Sequence, residues 1–287
     1  MTDPAFRPDL YRGTARAYDQ FRRPYPAELL ADLTARARAD GAGRLLDLGC
    51  GTGQVAFALS GWFAEIWAVD QEPEMIELAR DKAHKAADPE RFRFVISAAE
   101  ELAAPSEYFD LVTIGNAFHR LPRATVAAAT LTWLRPGGFL ALLWGGSPDL
   151  GDEPWQRALT TTMRRWQNRP GAEERIPAGY QRARDTRPDA EILTEAGFEL
   201  VGRYSFTVSQ AWTADDLAGY VASTSVLSAA ALGEHAGEFD AELRRELSAC
   251  QPDGVFRNQA VLAYDLARRP DQPDRLEQPD QLEQPER

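Results

Sequence analysis

Five short apolar runs punctuate the first half of the chain, at 45–48, 66–70, 92–96, 109–114 and 139–144, and each closes on turn-forming or polar residues. Their apolar content is continuous rather than alternating, the pattern of strands buried on both faces. Helical spacing fills the gaps. After Pro73, at a plausible first-turn position, Met75, Ile76, Ala79 and Ala83 fall on one face, and 124–134 lies between Pro122 and Pro136-Gly137-Gly138. An earlier helix over 26–40 turns Leu30, Leu33 and Ala37 inward and stops at Gly41. Strands and helices in alternation predict a doubly wound α/β fold, with a mostly parallel sheet.

The second half breaks the rhythm. Residues 147–187 are polar and interrupted by Pro154, Pro170 and Pro177, yet Trp155, Leu159, Met163 and Trp166 stand at helical spacing. A helix at 190–196, a strand near 200–208, a helix over 215–232 and a last strand at 255–266 follow. The whole reads as a seven-stranded sheet with a late helical cap insertion. Four segments result: an N-terminal lid and helix (1–40), a core (41–146), the cap with the sheet-completing strands (147–267), and a tail (268–287). The near-repeat of Asp274–Pro279 in 280–285 marks that tail as low complexity and disordered.

Composition changes this picture little. Apolar residues make up 44% and charged residues 26%, enough for a sizeable core. The formal charge of −12 argues against a nucleic-acid partner, which needs a basic face. Six acids and two arginines lie in the last eighteen residues, so part of that charge belongs to the tail. Two cysteines make no disulfide framework, no apolar run is long enough for a membrane span, and Met1-Thr2-Asp3-Pro4 does not resemble a signal peptide. A cytoplasmic protein with no membrane partner is the expectation; the oligomeric state is not legible. His84, His119 and His235 lie far apart in sequence, so no metal site is expected.

The candidate chemistry begins at Asp47-Leu48-Gly49-Cys50-Gly51-Thr52-Gly53, between the first strand and a helix. Glycines permit a sharp turn and close approach of a ligand to the backbone, and the helix start offers free N–H groups. Asp70, 17 residues after Gly53 at the end of the second strand, is placed to accept both hydroxyls of a ribose. The spacing is G-x-G-x-G rather than the G-x-G-x-x-G of dinucleotide sites. Here the chain resembles the class I S-adenosylmethionine-dependent methyltransferases, over roughly residues 15–145. Asp70-Gln71-Glu72-Pro73-Glu74-Met75 resembles their second motif, Ser97-Ala98-Ala99-Glu100 the third, and Phe109-Asp110-Leu111-Val112 and Leu134-Arg135-Pro136-Gly137-Gly138 two later ones. The resemblance implies S-adenosyl-L-methionine as cofactor, with S-adenosyl-L-homocysteine as product. Asp47, Gly49, Cys50, Gly51 and Gly53 would form its loop, Asp70 and Gln71 would meet the ribose, and Met75, Ala99 and Glu100 would lie against the adenine. Alanine at 98 departs from the acid common in the family and leaves adenine recognition to backbone groups.

Tyr18-Asp19-Gln20-Phe21-Arg22-Arg23-Pro24-Tyr25-Pro26 is similar to a lid segment of a small-molecule branch of that family, with Tyr18 and Arg23 as the favoured cofactor contacts, although the doubled arginine leaves the register open. Asn116 and His119, at the end of strand four, should face the ligand crevice. His119 is the candidate base, and it could equally line the pocket. Arg120 reads as a solvated surface residue more readily than as an anion partner. The late cap offers Trp155, Met163, Trp166, Trp212 and Tyr220 either as core or as walls of an acceptor site. The resemblance implies methyl transfer to an oxygen, nitrogen or carbon of a small-molecule acceptor, with a place in secondary metabolism. Other readings remain open: a protein of this fold that binds S-adenosylmethionine and catalyses a different reaction such as cyclisation, a nicotinamide-dependent oxidoreductase, or an enzyme modifying a macromolecule.

Overall fold

The apolar runs of the sequence become the strands of one sheet in the computed structural model, which describes residues 6–85, 88–169, 175–251 and 253–271. The strands are β1 (Arg44–Leu48), β2 (Glu65–Asp70), β3 (Phe92–Ile96), β4 (Phe109–Gly115), β5 (Leu134–Trp144), β6 (Glu199–Trp212) and β7 (Phe256–Arg268). Their order is β3-β2-β1-β4-β5-β7-β6. The first five pair in parallel, and β7 runs antiparallel to both β5 and β6. Seven strands in a mostly parallel doubly wound sheet agree with the expected fold.

The helices are α1 (Ala15–Phe21), α2 (Ala27–Arg36), α3 (Gln54–Ala58), α4 (Pro73–Ala83), α5 (Arg123–Trp133), α6 (Pro154–Gln167), α7 (Tyr180–Thr186), α8 (Asp189–Ala196), α9 (Ala214–Ala222), α10 (Ala229–Leu232) and α11 (Ala236–Cys250). Successive strand residues feed opposite cores. Leu45, Ile66, Leu111 and Ala141 pack under α2 and α3, whereas Leu46, Trp67, Val112 and Leu140 pack under α5 and α8.

A third core forms the cap. Trp155, Leu159, Met163 and Trp166 of α6 meet Leu217 and Val221 of α9 and Phe239, Leu243 and Leu247 of α11, together with Trp212 and Phe256. The last two sit opposite each other at the far end of the β6–β7 hairpin. β5 pairs with β7 only as far as Trp144 and Ala263, so the rest of the hairpin projects beyond the carboxyl end of β5 and carries the cap with it. That places the cap over the strand ends where open α/β sheets bind ligands.

Three expectations are revised. The helix over 215–232 is two helices, because the Ser223 and Thr224 hydroxyls donate to the carbonyls of Tyr220 and Val221 and close the first, and Ser228 caps the second. Helix α11 was not foreseen. Residues 268–271, expected within the tail, lie against the sheet: Arg268 ends β7, the Arg269 N–H donates to Gly138, and Asp271 pairs with Arg268. Residues 272–287 lie outside the described residues.

Two helices of the second face are joined by a buried ion pair. Arg123, 2% exposed, donates through Nη1 to Asp189 Oδ1 at 2.8 Å and to the Arg187 carbonyl at 2.9 Å. Removing one partner leaves a buried charge unpaired. Asp189→Ala should therefore lower stability by about 3 kcal/mol, read from urea midpoints, whereas exposed Asp81→Ala should stay within about 0.5 kcal/mol of wild type. Matching midpoints for the two variants would contradict this account.

Candidate functional site

The loop after β1 is built from left-handed turns: Gly49, Gly51 and Gly53 have φ of 64°, 54° and 82°. A side chain at Gly49 would strike Ala117, and one at Gly51 would press on the Tyr18 ring. Two carboxylates hold the loop. Asp47 accepts from Thr113 Oγ1 at 2.8 Å and from the Ala56 N–H at 3.2 Å, tying β1 to β4 and to α3. Asp70 accepts from the Gly51 N–H at 2.8 Å and from the Glu72 N–H at 2.9 Å. Burial pushes the Asp47 carboxyl up to about 7 despite those bonds, with the nearby Asp70 charge adding to the rise. Burial also raises Asp70, against the N–H groups of Glu72, Gly51 and Gln71.

The remaining motif residues are less uniform. Met75 and Ala99 are buried next to the ends of β2 and β3, while Gln71 and Glu100 face solvent. Cys50 is buried, and its thiol is pushed well up by burial and the two aspartates, so it is no nucleophile.

Helix α1 lies over the loop. The Tyr18 ring rests against Gly51, and Lys82 of α4 donates to both Asp19 (2.6 Å) and the Thr52 carbonyl (2.9 Å). Gln54 donates to the Arg22 carbonyl at 3.1 Å. The doubled arginine resolves clearly. Arg22 inserts between the rings of Tyr18 and Tyr220, 5.0 and 4.3 Å from their centroids, and donates to Ser223 Oγ and Tyr220 OH. Arg23 reaches the cleft rim, but its guanidinium stacks on Trp212, donates to the Ala211 carbonyl and pairs with Asp216. Both arginines line the cleft: Arg22 is held between the lid and cap rings, and Arg23, the favoured contact in sequence, is engaged by the cap.

Together these elements line a cleft that opens to solvent. Tyr18, Asp47, Gly49, Cys50 and Asn116 line it as the sequence suggested. Asn116, at φ 50°, accepts from the Gly145 N–H and donates to Tyr25 OH, which joins the ends of β4 and β5 to the lid. Tyr25, Gln54, Gln210, Trp212 and Tyr220 also line the cleft. Sequence reasoning gave none of the first three a role; only Tyr25 carried a signal, in the lid motif itself. Trp155, Met163 and Trp166 do not reach the cleft and belong to the core of the cap.

His119 departs most from expectation. It is absent from the cleft lining and packs near Trp144 and Tyr180, with ring centroids 6.1 and 6.3 Å away. Burial, then the charges of Arg120, Arg184 and Arg123, push its pKa down to about 3. A histidine so weakly basic is a poor general base at neutral pH. Arg120 is not a solvated surface residue either: its guanidinium stands 5.3 and 5.4 Å from the Phe6 and Tyr11 rings. Among the described residues no group of three or more His, Cys, Asp and Glu could hold a metal ion, and no helix is long and apolar enough to cross a membrane.

Residues 45–138 match a family model described as a methyltransferase domain. An uncharacterized methyltransferase of Mycobacterium tuberculosis is 34% identical over 128 residues, 45% of this chain and 49% of its own, so the match spans about half of that relative. A ubiquinone biosynthesis O-methyltransferase of Xanthomonas axonopodis pv. citri is 33% identical over 58% of this chain and 67% of its own. A solved structure from Anaeromyxobacter dehalogenans, provisionally named a type II methyltransferase, shares the fold with a TM-score of 0.60 at 23% identity, covering 88% of this chain and all of that one. The loop, the sheet that presents it and these matches agree: the chain belongs to the class I S-adenosylmethionine-dependent methyltransferase family.

Proposed function

We infer that the protein methylates a small-molecule acceptor, with S-adenosylmethionine as the donor. The observation that carries this reading is the left-handed glycine loop, pinned by Asp70 and covered by Tyr18. The fit to that cofactor rests on the site itself. Thr52 Oγ1 in the loop and Gln210 Oε1 in the cleft are buried without a hydrogen-bond partner, so polar groups are left over for a ligand. Asp70 would hold the ribose, Arg22 the amino-acid carboxylate, and the rings of Tyr18, Tyr25 and Trp212 give the cleft walls suited to a cation. The cofactor supplies an electrophilic methyl group on a sulfonium sulfur. The chain's own part is to bind, orient and exclude water. Similarity to an O-methyltransferase favours an oxygen acceptor.

The proton of such an acceptor has an exit. Arg22 Nη1 donates to Tyr220 OH, which leaves the Tyr220 proton to point along its 2.6 Å contact to Ser147 Oγ, and Ser147 in turn donates to Asp149. A proton taken up at Tyr220 moves through Ser147 to the Asp149 carboxylate.

The first test is calorimetric. S-adenosylhomocysteine should bind saturably; Asp70→Asn should weaken it about 10- to 100-fold, and Arg23→Ala by less than about threefold. No saturable heat for wild type sinks the reading, and NADH binding in its place would support an oxidoreductase.

A second expectation concerns pH. Asp47 keeps its proton up to about 7 in the free protein, and its ionised form is favoured beside a sulfonium. Binding of S-adenosylmethionine should release a proton near pH 7, and its affinity relative to the uncharged thioether product should rise between roughly pH 5 and 8. Calorimetry in buffers of different ionisation heat measures this, and Asp47→Asn should abolish it.

The third separates the two candidate proton acceptors by labelled-methyl transfer. Tyr220→Phe should lower kcat about 10- to 100-fold. With its pKa near 3, His119 should add no inflection to the pH profile between about 5 and 8. An inflection near 6.5 that disappears in His119→Gln would restore histidine as the base.

A further inference from the structure

Arginines in this chain are mostly neutralised by its many acids. Arg36, Arg91, Arg123, Arg135, Arg165, Arg203 and others each pair with a carboxylate. Arg120 is different. Its Nε is buried without a hydrogen-bond partner, and no carboxylate among the described residues pairs with it. Its guanidinium stands beside the Phe6 and Tyr11 rings, whose faces cannot accept the Nε–H as a carboxylate would. Directly before it in the chain, His119 Nδ1 is also buried and unpartnered. Two adjacent residues with unsatisfied polar atoms, in an aromatic setting, are costly unless a ligand completes them.

Their position links them to the cleft. Both belong to the turn that leaves β4, four and three residues past the lining residue Asn116. The Tyr11 ring that flanks Arg120 meets Tyr18 edge-on, with centroids 6.2 Å apart, and Tyr18 covers the glycine loop. On the other side Phe6 meets Tyr180 at 5.1 Å. Two rings, Tyr11 and Tyr18, thus separate the arginine from the glycine loop, and Arg22 remains for the donor's own carboxylate.

We propose that Arg120, together with His119 Nδ1, binds an anionic group of the methyl acceptor, so that the substrate is a small aromatic or planar acid carrying a carboxylate. A guanidinium offers a carboxylate two parallel N–H donors, and an Nδ1–H tautomer of His119 adds a third. Phe6, Tyr11 and Tyr180 supply flat apolar faces for the remainder of the molecule. Burial above all keeps His119 neutral, and the neighbouring Arg184 charge adds to the positive field at this point. Locally, therefore, the site inverts the acidity of the whole chain.

This rests on the methyltransferase reading, and the test keeps the two apart. S-adenosylhomocysteine binding is measured first by calorimetry, for wild type, Arg120→Gln and Arg120→Lys; loss of binding in wild type fails the methyltransferase reading itself. With the cofactor saturating, labelled-methyl transfer and intrinsic tryptophan fluorescence are then followed for hydroxylated benzoates and cinnamates, each beside its primary amide. The acids should be favoured over the amides by about tenfold or more. Arg120→Gln should erase the preference while leaving S-adenosylhomocysteine affinity within about twofold, and Arg120→Lys should keep part of it. Amides bound or methylated as well as acids, acids neither bound nor methylated by a protein that binds the cofactor product, or a preference that survives in Arg120→Gln, would each overturn the anion site.

Discussion

Everything in the ligand-facing half of this molecule depends on how a run of three left-handed glycines is held in place by two buried carboxylates. From two neighbouring strands, Asp70 accepts from the Gly51 N–H inside the turn and Asp47 from the Ala56 N–H of the helix that follows it. Burying two like charges so close together is unfavourable, and both carboxyls titrate above their ordinary range. The arrangement is tolerable because Thr113, Ala56, Gly51 and Glu72 all donate to them. The parallel register of β1 between β2 and β4 brings those donors and acceptors together, so the sheet is the scaffold of the loop rather than its neighbour.

Charge is distributed by role. Most of the arginines answer surface acids, where each pair contributes little. The informative ones lie among aromatic rings: Arg22 between Tyr18 and Tyr220, and Arg120 between Phe6 and Tyr11. Arg22 is also held by Ser223 and Tyr220, whereas the Nε of Arg120 has no partner. A formal charge of −12 conceals them entirely.

The sheet was legible because its strands are buried on both faces and read as continuous apolar runs, which no surface element imitates. The glycine loop and Asp70 were legible because their chemistry is local in sequence. What escaped was set by contacts across long separations. Helix α11 carries a clear signal in Phe239, Leu243 and Leu247, four residues apart, and was passed over between polar residues. Arg22 and Arg23 are equivalent in sequence, and only Ser223 and Asp216, some two hundred positions away, decide which turns inward. His119 looked like a base because its strand end faces the crevice; its protonation is set first by burial and then by arginines from its own turn, α7 and α5. The tryptophans of α6 are spaced for one helical face, and nothing in that spacing says whether the face meets a ligand or another helix.

The lid is fastened on two sides. Asp19 and the Arg22 carbonyl bind it to Lys82 and Gln54 on the core, while the Arg22 and Arg23 side chains bind it to α9 and β6 of the cap. A segment anchored in this way ties two bodies of packing together: loosening its contacts to the core leaves those to the cap in place, and the reverse. Core and cap are thereby joined through a short stretch of chain that belongs to neither.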